Sequence, residues 1–126
     1  MPALNFKKQF AGFVELGLKQ PDHPDAKRQT IRALRKDCRN PQEGQTLYLY
    51  TGQRTKSCRK LGETVCKSVE QICINYSYFI SLGSRDLTIT EESELIRQDG
   101  FDNSDKFFEF FLKTHGLPFY GLLIKW

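Results

Sequence analysis

Residues 27 to 32 read Lys27-Arg28-Gln29-Thr30-Ile31-Arg32, a K-x-x-T-x-R pattern with cations on both sides of a hydroxyl. In an extended strand the side chains alternate, so Thr30 and Arg32 share one face and Ile31 points the other way, toward a core. Lys27 lies three residues before Thr30 and needs a bend in the preceding loop to come alongside. A donor-rich cluster of this kind suits a phosphate, a carboxylate or a polarised carbonyl. The same six residues also suit a charged strand edge that resists edge-to-edge pairing.

The charge around this cluster is uneven. The stretch from Lys27 to Lys60 carries a net +8, and the rest of the chain a net −4, within a total of +4. Concentrated positive charge predicts an anionic partner. Arg32, Arg35, Arg54, Arg59 and Lys60 are its leading contacts, with Tyr48 or Tyr50 able to stack on a base if exposed. The cysteines, Cys38, Cys58, Cys66 and Cys73, are irregularly spaced without a C-x-x-C pair, and His23 and His115 are the only histidines. That pattern argues against a structural zinc site, and no cofactor is expected. Cys66 and Cys73 read as core. Cys58 sits among cations that would lower its thiol pKa, but has no matched base. His23, in a loop between acids, reads as an exposed histidine or a base.

These residues need a scaffold. The chain has 126 residues and no low-complexity run, which predicts one domain, 1–126, with a core that needs no staples. No apolar run approaches the roughly eighteen residues of a membrane span, and the N-terminal residues lack a signal-peptide core. No membrane partner and a cytoplasmic location are expected. Phe6, Phe10, Phe13 and Val14 form one stripe, predicting a helix over 5–16, capped by Asn5 and stopped at Gly17. The loop 20–25, with Pro21 and Pro24, delivers the chain to Lys27.

Short strands are expected at 30–34 and 45–51, with basic loops at 35–44 and 53–62. One long strand with a possible bulge is expected over 63–74, on its β-branched content. A short strand follows at 86–89. Thr90 is expected to cap one helix, and Asn103 or Ser104 a second, 105–115, with Phe107, Phe108, Phe111 and Leu112 buried. The apolar stretch 119–126 predicts a central closing strand. The order excludes alternating β-α-β units and fits an α+β fold: a small, mostly antiparallel barrel whose openings are capped by helices.

Several segments together resemble the ASCH domain family, in its small single-domain phage or prophage form. They are Leu4-Asn5-Phe6-Lys7 with Gln9-Phe10, Lys27 to Arg32, Leu47 to Gly52 with Arg54-Thr55, Cys58 to Gly62, Glu94-Leu95-Ile96, and Asp99-Gly100-Phe101. The resemblance spans nearly the whole chain and implies a PUA-like β-barrel. It implies binding of RNA or a nucleoside in a cleft beside the K-x-x-T-x-R strand. One bacterial branch is an amidohydrolase of 4-acetylcytidine-type nucleosides that uses a lysine, a threonine and a carboxylate. Lys27 and Thr30 match the first two, and Asp99, with Glu94 as second choice, matches the third.

The family's G-x-K-x-x-T spacing is interrupted here. Gly17-Leu18-Lys19 begins it, residues 21–26 intervene, and only Lys27 keeps the spacing to Thr30. The carboxylate is also an Asp where the family has a Glu. Some relatives are reported to cleave RNA, and only scattered carboxylates support a metal-dependent nuclease in this chain.

Overall fold

The computed structural model describes residues 3–35 and 40–126. They form strand β1 (Ala3–Phe6), helix α1 (Lys8–Lys19), and strands β2 (Gln29–Ala33), β3 (Thr46–Thr51), β4 (Arg59–Val65), β5 (Ser68–Ile74), β6 (Ile80–Leu82) and β7 (Arg85–Asp86). Helices α2 (Ile89–Gln98) and α3 (Ser104–Thr114) follow, and strand β8 (Phe119–Lys125) closes the chain. The fold is α+β. Its ladders form two separate sheets, β1-β3-β4 and β2-β8-β5-β6-β7, rather than the single closed barrel expected.

The first sheet is mixed, because β1 runs parallel to β3 while β3 and β4 are antiparallel with a register shift after Leu49. The second is antiparallel throughout. Strand β8 lies between β2 and β5, and its Leu122-Leu123-Ile124 segment is buried on both faces, which explains the apolar run there, while Tyr120 stays exposed. Phe119 and Leu123 face one way, packing with Ile31, Ile72, Ile74 and the buried phenylalanines of α3. Leu122, Ile124 and Trp126 face the other, packing with Leu4, Phe6, Phe10, Val14, Leu47 and Leu49. Phe101 touches both clusters.

Several boundaries differ from the sequence reading. Phe6 belongs to β1 rather than to the first helix, which starts after Lys7 and carries no side-chain cap. A four-residue strand has no periodicity long enough to compete with the helical stripe that adjoins it. Phe13 is 40% exposed, and Gly17 lies inside α1 rather than ending it. The expected strand 63–74 is two strands in different sheets, divided at Cys66 and Lys67, so a change of sheet stands within the stretch where a bulge was expected.

Thr88, not Thr90, caps α2, in a reciprocal capping box with Glu91, and Ile89 opens that helix instead of ending a strand. Asn103 caps α3, whose Leu112 is 48% exposed rather than buried. The expected basic loop 35–44 falls partly outside the described residues. Among the described residues no helix is long and apolar enough to cross a membrane.

Gly121 shows how tightly β8 is held. A Cβ there would sit 2.3 Å from the Arg32 carbonyl oxygen and 2.8 Å from the Phe119 ring. Gly121→Ala is expected to destabilise the fold by about 1–3 kcal/mol through overpacking, read as a lowered midpoint in urea at unchanged slope.

Candidate functional site

The K-x-x-T-x-R strand is positioned from both of its faces. Ile31 pairs with Leu123 and enters the core, while Thr30 pairs with Ile124 on the opposite face. Upstream, the loop after α1 is closed by hydrogen bonds from the His23 amide to the Gln20 carbonyl (3.0 Å) and from the Ala26 amide to the His23 carbonyl (3.0 Å). The Lys27 amide then donates to the Phe13 carbonyl of α1 at 3.0 Å. Gly17 makes this approach possible, because a Cβ there would lie 2.9 Å from the Lys27 carbonyl oxygen. This is the bend that the three-residue offset requires. It turns Lys27 inward, to 3% exposure, while Lys19 remains exposed at the end of α1.

The partner of Lys27 is Asp99. Lys27 Nζ donates to the Asp99 backbone oxygen at 2.6 Å and to its carboxylate Oδ1 at 3.1 Å. Asp99 is the C-cap of α2, so the amine meets a carboxylate together with the negative end of a helix. Gly100 follows at φ +98, a left-handed turn that also passes close to the Phe10 ring. Burial pushes the Lys27 amine below the usual lysine range, against the pull of Asp99. Burial likewise pushes the Asp99 carboxyl up, against the nearby Lys27. The Lys27 amine also lies 5.0 Å from the centre of the Phe10 ring.

Arg32 organises the hydroxyl. Its Nε donates to Thr30 Oγ1 at 2.9 Å and its Nη2 to the Asn5 carbonyl at 2.6 Å, while the guanidinium stacks over Phe6 at 4.9 Å. Burial lowers its pKa to about 10, so it stays charged at neutral pH. With one lone pair of Oγ1 occupied, the Thr30 proton remains free to donate into the adjacent space.

Lys27, Thr30, Arg32 and Asp99 all line one cavity of about 260 Å³. Its other walls are aromatic, from Phe6, Phe10, Phe101, Phe110 and Phe111, with Asn5, Lys7 and His115 among the remaining lining residues. The Lys7 amine sits 4.6 Å from the centre of the Phe110 ring. Burial first, and then Lys7, hold His115 below its ordinary pKa, which favours the neutral imidazole. Asn5, Lys7 and His115 were not among the expected site residues. His115 follows Phe111 by four residues and therefore shares its helix face, which is the signal that marks it.

The remaining candidates lie outside the cavity lining. Glu94 is exposed and bonded to Arg97 and Gln98. Arg59 pairs with Glu15 at 2.8 Å, and Lys60 pairs with Glu63. Arg35 donates to the Ala3 carbonyl at 3.1 Å. Tyr50 is half-buried opposite Asn5 in the β1–β3 ladder. Arg54 is exposed, and the neighbouring Gln53 amide donates to Asn5 Oδ1 at 2.9 Å. The loop bearing Arg54 is therefore tied to a residue that lines the cavity. Comparison with protein-family models, with curated proteins and with solved structures found no match for the chain.

A buried ion pair is poor evidence of selection for stability, because desolvation offsets most of its Coulombic gain. Asp99→Ala, which strands the Lys27 charge, is expected to destabilise by about 3–5 kcal/mol. The double variant Lys27→Met/Asp99→Leu is expected to fall within about 1 kcal/mol of the parent, or above it. Urea unfolding of the two variants checks both values.

Proposed function

We propose that the chain binds RNA or a nucleoside, with one base held in the cavity of Lys27, Thr30 and Asp99. The observation that carries this reading is the convergence of three buried polar side chains on a small aromatic-walled cavity. The polar wall offers the Thr30 hydroxyl, the Lys27 amine and the Asp99 carboxylate, a set that complements the mixed donor and acceptor edge of a base. The phenylalanines offer faces and edges for stacking. About 260 Å³ lies just below the roughly 300–1,000 Å³ range of ligand sites, which suits a single base rather than a duplex. Arg32, Arg35 and Arg54, near β1, supply charge for the backbone of a longer strand. The ASCH resemblance belongs to this reading, with the two sheets taken as an open relative of a PUA-like barrel. Its support is the order of the motifs along the chain.

Titration of short single-stranded RNA is expected to show saturable binding that weakens steeply with added salt. Thr30→Val is expected to weaken it by about threefold to tenfold, the effect of one lost hydrogen bond. Salt-independent association, or no binding of short RNAs, counts against the reading.

The Lys27 geometry favours a second reading, an amidohydrolase of 4-acetylcytidine-type nucleosides. A desolvated amine with a depressed pKa is a competent general base, and Asp99 is placed to hold it. Water would add to the acetyl carbonyl with Lys27 taking its proton and Arg32 stabilising the oxyanion. The proton then passes to the departing amine, releasing acetate and cytidine. Thr30 positions the water or acts as the nucleophile.

The expected result is cytidine release from 4-acetylcytidine, with kcat/KM rising with pH as the Lys27 amine loses its proton. Lys27→Ala should abolish that release. No cytidine at high enzyme concentration removes the reading, and full activity in Lys27→Ala removes the assignment of the base.

A further inference from the structure

The segment 21–26, which interrupts the motif spacing, also forms one wall of a second cavity of about 500 Å³. Lys27 and Arg28 are adjacent in the chain but serve different spaces: Lys27 lines the cavity already described and Arg28 lines this one. The opposite wall is the end of the antiparallel sheet. Gln29 of β2 and Ser68 of β5 both pair with Lys125 of β8, which aligns three strand ends in one row. The Trp126 amide donates to the Arg28 carbonyl at 3.1 Å, and the Lys67 amide to the Lys125 carbonyl at 2.8 Å, extending that row. Arg28 just before β2, Lys67 just before β5 and Lys125 at the end of β8 thus border one space.

Among the described residues none of these three makes a salt bridge, whereas Arg97 on the same rim is committed to Glu94. Among the described residues, Asp22 is the only carboxylate side chain lining the cavity. Unpaired cations gathered around one concave surface repel each other unless an anion joins them. Trp126, at the end of the same row, also lines the cavity and is 3% exposed, with its ring packed edge-on against Phe6 in the core.

We propose that this cavity is a second ligand site that takes a phosphate-bearing anion through Arg28, Lys67 and Lys125. The phosphate belongs either to a nucleic-acid backbone or to a free polyphosphate group, and the chemistry of recognition is the same for both. The site is independent of base binding and of hydrolysis in the first cavity.

Trp126 is the sole tryptophan, so its fluorescence reports on the wall it forms. Pyrophosphate and a short single-stranded oligoribonucleotide are titrated separately against the full chain. A saturable emission change is expected, weakened by about tenfold or more in Lys67→Glu/Lys125→Glu. Thr30→Val, in the other cavity, leaves the pyrophosphate titration unchanged. Saturation by pyrophosphate assigns the site to free phosphate groups, and saturation by the oligoribonucleotide alone assigns it to backbone. If the charge-reversed variant fails to fold, Lys67→Gln/Lys125→Gln decides, with thermal unfolding as the check on its integrity. No saturable change with either ligand, or an unaltered affinity in the folded double variant, overturns the proposal.

Discussion

An amine and a carboxylate share the interior of this protein at Lys27 and Asp99, and the arrangement around them follows from keeping both satisfied. Removing two charges from water is expensive, and the interior repays it only through close contact and additional hydrogen bonds. Lys27 finds both on a single residue, the carboxylate and the backbone oxygen of Asp99. That requires the end of α2 to lie against the start of β2, 72 residues away in sequence. It also requires the turn at Gly100 and the close approach of α1 through Gly17. The pair ties two helices and the motif strand to one point.

Strand β8 is the second constraint, and it acts through space rather than charge. It separates the two hydrophobic clusters and presents alternate side chains to each. Because β2 pairs with β8, the register of Thr30 and Arg32 is set by the strand that fills the core. A shift of one residue would turn Thr30 into the α3 side and Ile31 toward the polar cavity. The chemistry of the motif therefore rests on apolar packing that contains none of its residues except Ile31.

The two cavities show how one short insertion serves two surfaces. The loop 20–26 gives Lys27 its inward path and leaves Arg28 directed to the sheet end. Charge that looks continuous along residues 27 to 60 is divided in space. Part of it is neutralised locally, as in Arg59 with Glu15 and Lys60 with Glu63. Part is buried for the first cavity. Meanwhile Lys67 and Lys125, outside that stretch altogether, complete the second.

The sequence by itself determined the local facts. Alternation placed Thr30 and Arg32 opposite Ile31, the apolar run of 119–126 marked the central strand, and Asn103-Ser104 marked the start of α3, because each depends on neighbours within a turn or a strand. The three-residue spacing to Thr30 favoured Lys27 over Lys19, and in the fold Lys27 is the one of the two that is buried beside Asp99. Only the tertiary structure decided the rest. The short strand β1 declares itself through pairing with β3, and the division of 63–74 follows from which sheet each half joins. Asn5 and Lys7 join the cavity through contacts that no local pattern encodes. The resemblance had ranked Asp99 before Glu94, but what separates the two physically is tertiary: the packing of the end of α2 against β2 buries Asp99 beside Lys27, while Glu94, within the same helix, stays exposed.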